Sequence, residues 1–137
     1  MKKVLIVVGV LLALPILHFG VIMIASEVGG EIVTLHRAND DGSESQIRLW
    51  VVDDGDNAYI QHGAPDAYWK QQLATNNILR VERDGQVREY EASLAPEDCQ
   101  LYHRLRREKY GLSDQIVEIG TGTSASDCVD TVKLVAR

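Results

Sequence analysis

Leu49–Val81 reads LWVVDDGDNAYIQHGAPDAYWKQQLATNNILRV. Its start belongs to Gln46–Asp53 (QIRLWVVD), a run rich in β-branched and aromatic residues. Such residues suit a pleated, half-buried surface. Asp54-Gly55 is a hairpin signal, and Ala58–Gly63 (AYIQHG) is the return strand. Ala64-Pro65-Asp66 breaks that strand, and Asp66 can cap a helix over Ala67–Ala74. Thr75-Asn76-Asn77 ends the helix, and Ile78–Arg83 (ILRVER) is a further strand.

Working outward, Glu31–Arg37 (EIVTLHR) alternates as a strand, and residues 38–45 (ANDDGSES) form a polar loop. Downstream, Asp84-Gly85 is a second hairpin signal, leading into Val87–Leu94. Ala95-Pro96-Glu97 opens the longest helix of the domain, which runs to Tyr110 with Gly111 as its stop. Leu101, Tyr102 and Leu105 make its apolar stripe. Ser113–Ile119 is one or two more helical turns, Gly120–Ser126 a loop, and Cys128–Ala136 the last strand. The order β-β-β-α-β-β-α-β implies a mainly β, α+β domain, built as a small closed or half-closed antiparallel barrel with helices over its openings.

Ahead of this domain, residues 4–25 (VLIVVGVLLALPILHFGVIMIA) carry no Asp, Glu, Lys or Arg. Twenty-two residues give about 33 Å of helix, enough to span a hydrocarbon core. Lys2 and Lys3 precede the stretch, and Glu27 and Glu31 follow it. The positive-inside rule puts the N-terminus in the cytoplasm and the domain outside. A cleaved signal peptide is the rival, but the stretch is long for one, and Met23 stands where a small residue belongs. The expected organisation is an anchor at 1–25, a linker at 26–30 and a barrel at 31–137. Of the 137 residues, the part after the anchor holds twelve basic against twenty acidic side chains. That balance repels phosphate backbones and argues against a nucleic-acid partner.

The Leu49–Val81 run resembles the split β-barrel flavin- and deazaflavin-binding proteins, in particular the deazaflavin-dependent nitroreductase family. The resemblance rests on Asp54, Gly55, Gly63, Ala64, Pro65, Trp69, Leu73 and Asn76, and above all on the GAPDAYW segment. It implies a six-stranded split barrel, often dimeric, with flavin mononucleotide or a deazaflavin on the outside of the barrel. Arg48, Gln61, His62, Gly63, Ala64 and Trp69 would then line the cofactor groove, and a lipophilic acceptor, such as a quinone, would take the hydride. The family's first inter-strand loop is basic, whereas here it carries Asp40, Asp41 and Glu44. These charges, with Asp66 at the helix start, oppose a phosphate, and the acidic loop favours the alternative, a non-catalytic envelope domain that binds another ligand or a partner.

Single residues admit two readings. Arg48 and Trp50 share one strand face, either a cationic and aromatic ligand platform or a surface covered by a helix or subunit. His62 either touches the cofactor or is satisfied by backbone. Trp69 and Leu73, four apart, pack in the core by default. The basic run His103–Lys109 is either a solvated helix face or a contact for lipid headgroups. Cys99 and Cys128 are the only cysteines, and outside the cytoplasm two such residues commonly pair. No metal site is expected, because His36, His62 and His103 show no ligand spacing with either cysteine.

Overall fold

The structure is a computed structural model, and it describes residues 2–39, 41–61, 68–122, 128 and 131–137. In chain order the elements are α1 (Lys2–Val28), β1 (Ile32–Ala38), β2 (Glu44–Asp54), β3 (Asn57–Gln61), α2 (Tyr68–Gln72), β4 (Ile78–Arg83), β5 (Gln86–Leu94), a 3₁₀ turn (Pro96–Asp98), α3 (Cys99–Tyr110), α4 (Leu112–Thr121) and β6 (Thr131–Ala136). The six strands close into one antiparallel barrel in the order β1-β2-β3-β6-β5-β4. Thr34↔Glu82, Leu35↔Val81 and His36↔Arg80 seal it between β1 and β4.

Strict alternation fills the interior. Val33 and Leu35, Leu49 and Val51, Ala58 and Ile60, Leu79 and Val81, Tyr90 and Ala92, and Val132 and Leu134 form one buried cluster. These are every second residue of each strand, as the period of two requires. Trp69 and Leu73 join that cluster from α2 and the turn after it.

β2 is long because it serves two partners. It pairs with β1 through Ile32↔Trp50 to Ala38↔Glu44, then with β3 through Val51↔Ile60 to Asp54↔Asn57. Ala38, Glu44 and Ser45, expected in the polar loop, therefore belong to the ladder. Pairing of the flanking strands outweighs the polar composition. The remaining turn is held by Asn39, whose N–H donates to Ser43 O (2.8 Å). The hairpins fall close to the expected places. Asp84 (φ +53°) and Gly85 (φ +72°) take the two left-handed positions of a tight turn. In the first hairpin the central residues are Gly55 and Asp56, one step beyond the Asp54-Gly55 pair, since Asp54 still pairs with Asn57.

The outer face of β2 and β3 is covered by α3. Val52 and Tyr59 pack there against Tyr102 and Tyr110, with Trp50, Leu101 and Leu105 at the margin. Trp50 stacks on Tyr110 with ring centroids 4.7 Å apart, so the helix-covered reading of that face holds for Trp50. Gly111 ends α3 as expected, and α4 follows at once. α4 includes Gly120 and Thr121, which were expected in a loop. The last strand begins at Thr131, with Cys128 outside it.

At the other end of the chain, α1 runs on through Ser26–Val28, into the expected linker. Its Gly9–Val28 portion, with mean hydropathy 2.2, is long and apolar enough to cross a membrane. Immediately after Gly30, Glu31 anchors an ion network. Arg83 donates to Glu31 (2.5 Å) and, through both terminal nitrogens, to Asp53 (2.7 and 2.8 Å). Lys109 of α3 reaches Glu31 (2.5 Å), Asp53 (3.2 Å) and Val51 O (3.0 Å). The network ties the barrel entrance, β2, β4 and α3 together. Hydrogen bonds from Arg83 hold the Asp53 carboxyl below its usual range. For Glu31, burial pushes the pKa up, but Arg83 and Lys109 outweigh it and the net direction is down.

Two outcomes are expected. Cys99 and Cys128 are joined in a disulfide with Cα atoms 5.4 Å apart, closing a sequence separation of 29. Cys99→Ser should lower unfolding free energy by about 2–4 kcal/mol, the cost of releasing a loop of that size. Equal denaturation midpoints with and without reductant would refute this. Asp53→Asn should cost about 1–2 kcal/mol at neutral pH, a value discounted for partial exposure. Because the folded-state pKa values of Asp53 and Glu31 are depressed, their contribution is complete above the unfolded carboxylate range near ~4 and is lost as pH falls through the folded values. The gap between wild type and Asp53→Asn should therefore close in acid, as measured by denaturant titration across pH.

Candidate functional site

Period-two alternation that sends Leu49 and Val51 inward sends Arg48 and Trp50 outward on β2. Gln61, at the end of β3, lines the same open cleft of about 260 Å³, together with Tyr102 and Arg106 of α3. Ser26 and Glu27, in the last turns of α1, form one wall, and Val117 of α4 forms another. Arg48 and Gln61, two of the expected groove residues, are thus brought together. His62, Gly63 and Ala64, with Pro65 and Asp66, lie outside the described residues.

Trp69 is placed elsewhere. It is 1% exposed within the barrel core. It borders a different cleft, also about 260 Å³, with His36, Glu44, Gln72, Asn76 and Arg80. The default reading of Trp69 and Leu73 as core is the one the structure shows.

Each cation of the Arg48 cleft faces a carboxylate. Arg48 pairs with Glu27 at 2.6 Å, and both side chains are well exposed, at 60% and 37%. Arg106 is nearly buried between Asp114 (2.5 Å) and Glu118 (2.9 Å) of α4. Its guanidinium also lies 5.6 Å from the Tyr102 ring centroid. Burial pushes the Tyr102 phenol up to about 12. It stays protonated at neutral pH, and its hydroxyl accepts from Arg106. Trp50 Nε1 donates to Ser26 O (2.8 Å), which fixes the indole against the end of α1. Gly30 is required beside it, because a Cβ there would collide with the indole ring.

Glu44, one of the acidic residues expected to oppose a phosphate, is distant from Arg48. Glu44 lies four residues earlier on β2, about 13 Å along a strand. That exceeds the screening length of about 8 Å at physiological salt. Glu44 instead accepts from Arg80 (2.8 Å) and bonds His36 Nδ1 (2.8 Å). With Glu82 on Nε2 (3.2 Å), these contacts raise the His36 pKa above its ordinary value. Asp41 accepts from Ser43 within its own turn, and Asp40 lies outside the described residues. The carboxylate that competes for Arg48 is Glu27.

Sequence reasoning missed Arg106 and Glu27 as site residues. Within the basic run on α3, Arg104, Arg107 and Lys109 stay exposed, whereas His103 and Arg106 are buried. Arg106, Arg107 and Lys109 are all tied to carboxylates of the same chain. Asp114 and Glu118 lie four apart on the next helix, on one face of it. Among the described residues no group of three metal-ligating side chains comes together. The cleft therefore offers an aromatic wall, one exposed guanidinium and amide groups. It can hold a flat anionic molecule, and among the described residues it presents no nucleophile beside a base.

No family model matches the chain, and no curated protein matches it. Solved structures do. The heme storage protein HutZ from Vibrio cholerae superposes with a TM-score of 0.52 at 13% identity, covering 84% of this chain and 86% of that one. An F420-H2 dependent reductase gives 0.51 at 14% identity, covering 76% and 93%. A protein described as a domain-swapped dimer gives 0.51 at 18% identity, covering 77% and 79%. At such identities the likeness concerns the fold. The chain shares its closed six-stranded antiparallel barrel with these structures, the barrel that the Leu49–Val81 stretch led one to expect.

Proposed function

We propose that the chain is a membrane-anchored split-barrel domain related to flavin- and deazaflavin-dependent oxidoreductases. It holds a planar, anionic ligand of that class in the Arg48–Gln61 cleft. The observation that carries this reading is the position of the cleft, whose wall is Ser26 and Glu27 at the end of the apolar helix. A ligand there sits at the lipid–water boundary, within reach of a lipophilic acceptor. When bound, the cofactor supplies the hydride chemistry. Arg48 supplies the counter-charge, and Trp50 and Tyr102 supply the aromatic walls. Displacing Glu27 from Arg48 is cheap, because an exposed pair contributes only about 0.2–1 kcal/mol. Arg106, held by two carboxylates, stays in place.

The Cys99–Cys128 disulfide supports an extracytoplasmic domain with a cytoplasmic N-terminus, the orientation that Lys2 and Lys3 favour. A homodimer is the proposed assembly, supported by the fold shared with a domain-swapped dimer. The second reading, a non-catalytic envelope domain for another ligand or partner, is favoured by one observation. Both arginines of the cleft are already paired within the chain, and about 260 Å³ falls just short of the roughly 300 Å³ at which small-molecule sites begin.

The two readings separate in a fluorescence titration of the full chain in detergent micelles with flavin mononucleotide and with reduced deazaflavin. Glu27→Gln should tighten binding by up to about fivefold, the equivalent of the lost competing pair. Arg48→Ala should weaken it about tenfold or more, as expected for a lost hydrogen bond to a charged group. No binding at millimolar ligand would remove the oxidoreductase reading and leave the non-catalytic one.

A further inference from the structure

The short helix α4 lies beside the apolar anchor rather than on the barrel. A Cβ added at Gly120 would fall 2.5 Å from Ile22 Cδ1, and one added at Gly29 would collide with Ser113. Residues 22 and 29 of the N-terminal segment thus meet residues 120 and 113, in reverse order. The two helices run antiparallel in close contact for two turns, about 10 Å. Small residues at both crossing points allow that approach, as in helix pairs within membranes. Ile22 belongs to the Gly9–Val28 span. Whatever depth Ile22 occupies, Gly120 occupies too.

The outward stripe of α4 fits that depth. Leu112, Ile116 and Ile119, spaced i, i+4, i+7, are 74%, 37% and 82% exposed. On α1, Ile24 (65%) and Val28 (82%) are exposed apolar residues as well. The opposite stripe carries Asp114 and Glu118, and both are neutralised by Arg106 and Arg107. A paired carboxylate near an apolar phase costs far less than a bare one. The Thr121 hydroxyl donates back to Val117 O (2.7 Å), which satisfies it without water.

We propose that α4 dips into the bilayer surface alongside α1, with Leu112, Ile116 and Ile119 in contact with lipid. The proposal rests on the reading of α1 as a membrane span. If the span ends near Val28, Ile22 and Gly120 lie about 9 Å below its end, within the roughly 5–10 Å that interfacial helices reach. The domain is then held by two elements, a span and a dipping helix. The Arg48 cleft, which Val117 borders, has a fixed orientation toward the lipid.

The test uses the full chain in phosphatidylcholine vesicles. The native cysteines are bonded to each other, so an introduced cysteine carries the sole label. An environment-sensitive fluorophore is placed in turn at Ile119→Cys, Ile16→Cys and Thr75→Cys. Ile16 lies within the span, and Thr75 is exposed beside His36 and Arg37. The expected result is quenching of the Ile119 probe by lipids spin-labelled high on the acyl chain, with iodide quenching several-fold weaker than at Thr75. Iodide quenching at Ile119 equal to that at Thr75, with Ile16 still lipid-quenched, overturns the dipping helix and leaves the span. Protection of Ile119 from both quenchers assigns the stripe to a protein partner and also overturns it. Iodide access at both Ile16 and Ile119 overturns the span and the proposal together.

Discussion

The structure depends on how an apolar helix is joined to a closed barrel within a few residues. Val28 ends α1, and Ile32 begins β1. Two glycines make the turn, and Gly30 leaves room for the Trp50 indole. The joint is then fixed from both sides. Trp50 donates to Ser26 O, and Arg48 pairs with Glu27. Glu31 is clamped by Arg83 and Lys109. The Tyr110 hydroxyl donates to the Val51 and Glu31 carbonyls. A loose tether would leave the cleft free to face any direction. This joint makes the last turns of α1 part of the cleft itself.

Charge on α3 follows from the same arrangement. The helix turns its tyrosines onto β2 and β3 and its cations toward four carboxylate groups. Lys109 reaches Glu31 and Asp53, while Arg106 and Arg107 reach Asp114 and Glu118. These pairs orient α3 between the barrel and α4. They also set the character of the cleft, since the buried guanidinium of Arg106 is spent on α4. The exposed one of Arg48 remains exchangeable. Among the described residues, an anion arriving at Arg48 competes with the carboxylate of Glu27.

Much of the barrel was legible because its rules are local. Alternation in Gln46–Asp53 and Ile78–Arg83, with the Asp-Gly turns, gives strands and hairpins whatever the rest of the chain does. The ends of β1 and β2 do not show in the sequence, because residues 38–45 are polar by composition while the ladder Arg37↔Ser45 and Ala38↔Glu44 is a pairing property. The sequence shows α4 only as a turn or two, because its apolar positions Leu112, Ile116 and Ile119 face outward and its contacts with α1 run through Ser113 and Gly120. Of the expected groove, Arg48 and Gln61 were readable from strand parity, and Trp69 was drawn into the core by its own size. Glu27 and Arg106 enter the cleft through contacts between distant segments, which no local pattern announces.

The central claim is that α1 and the barrel form one rigid joint at the cleft. The most direct test is hydrogen exchange of the Trp50 indole N–H, followed by NMR on the full chain in lipid nanodiscs. A joint as described keeps that proton bonded to Ser26 O, so it should exchange orders of magnitude more slowly than a free indole. It should quicken when Gly30→Val pushes the ring aside. Exchange at the rate of an exposed tryptophan in the unmodified chain would show that the anchor is a loose tether and would contradict the account.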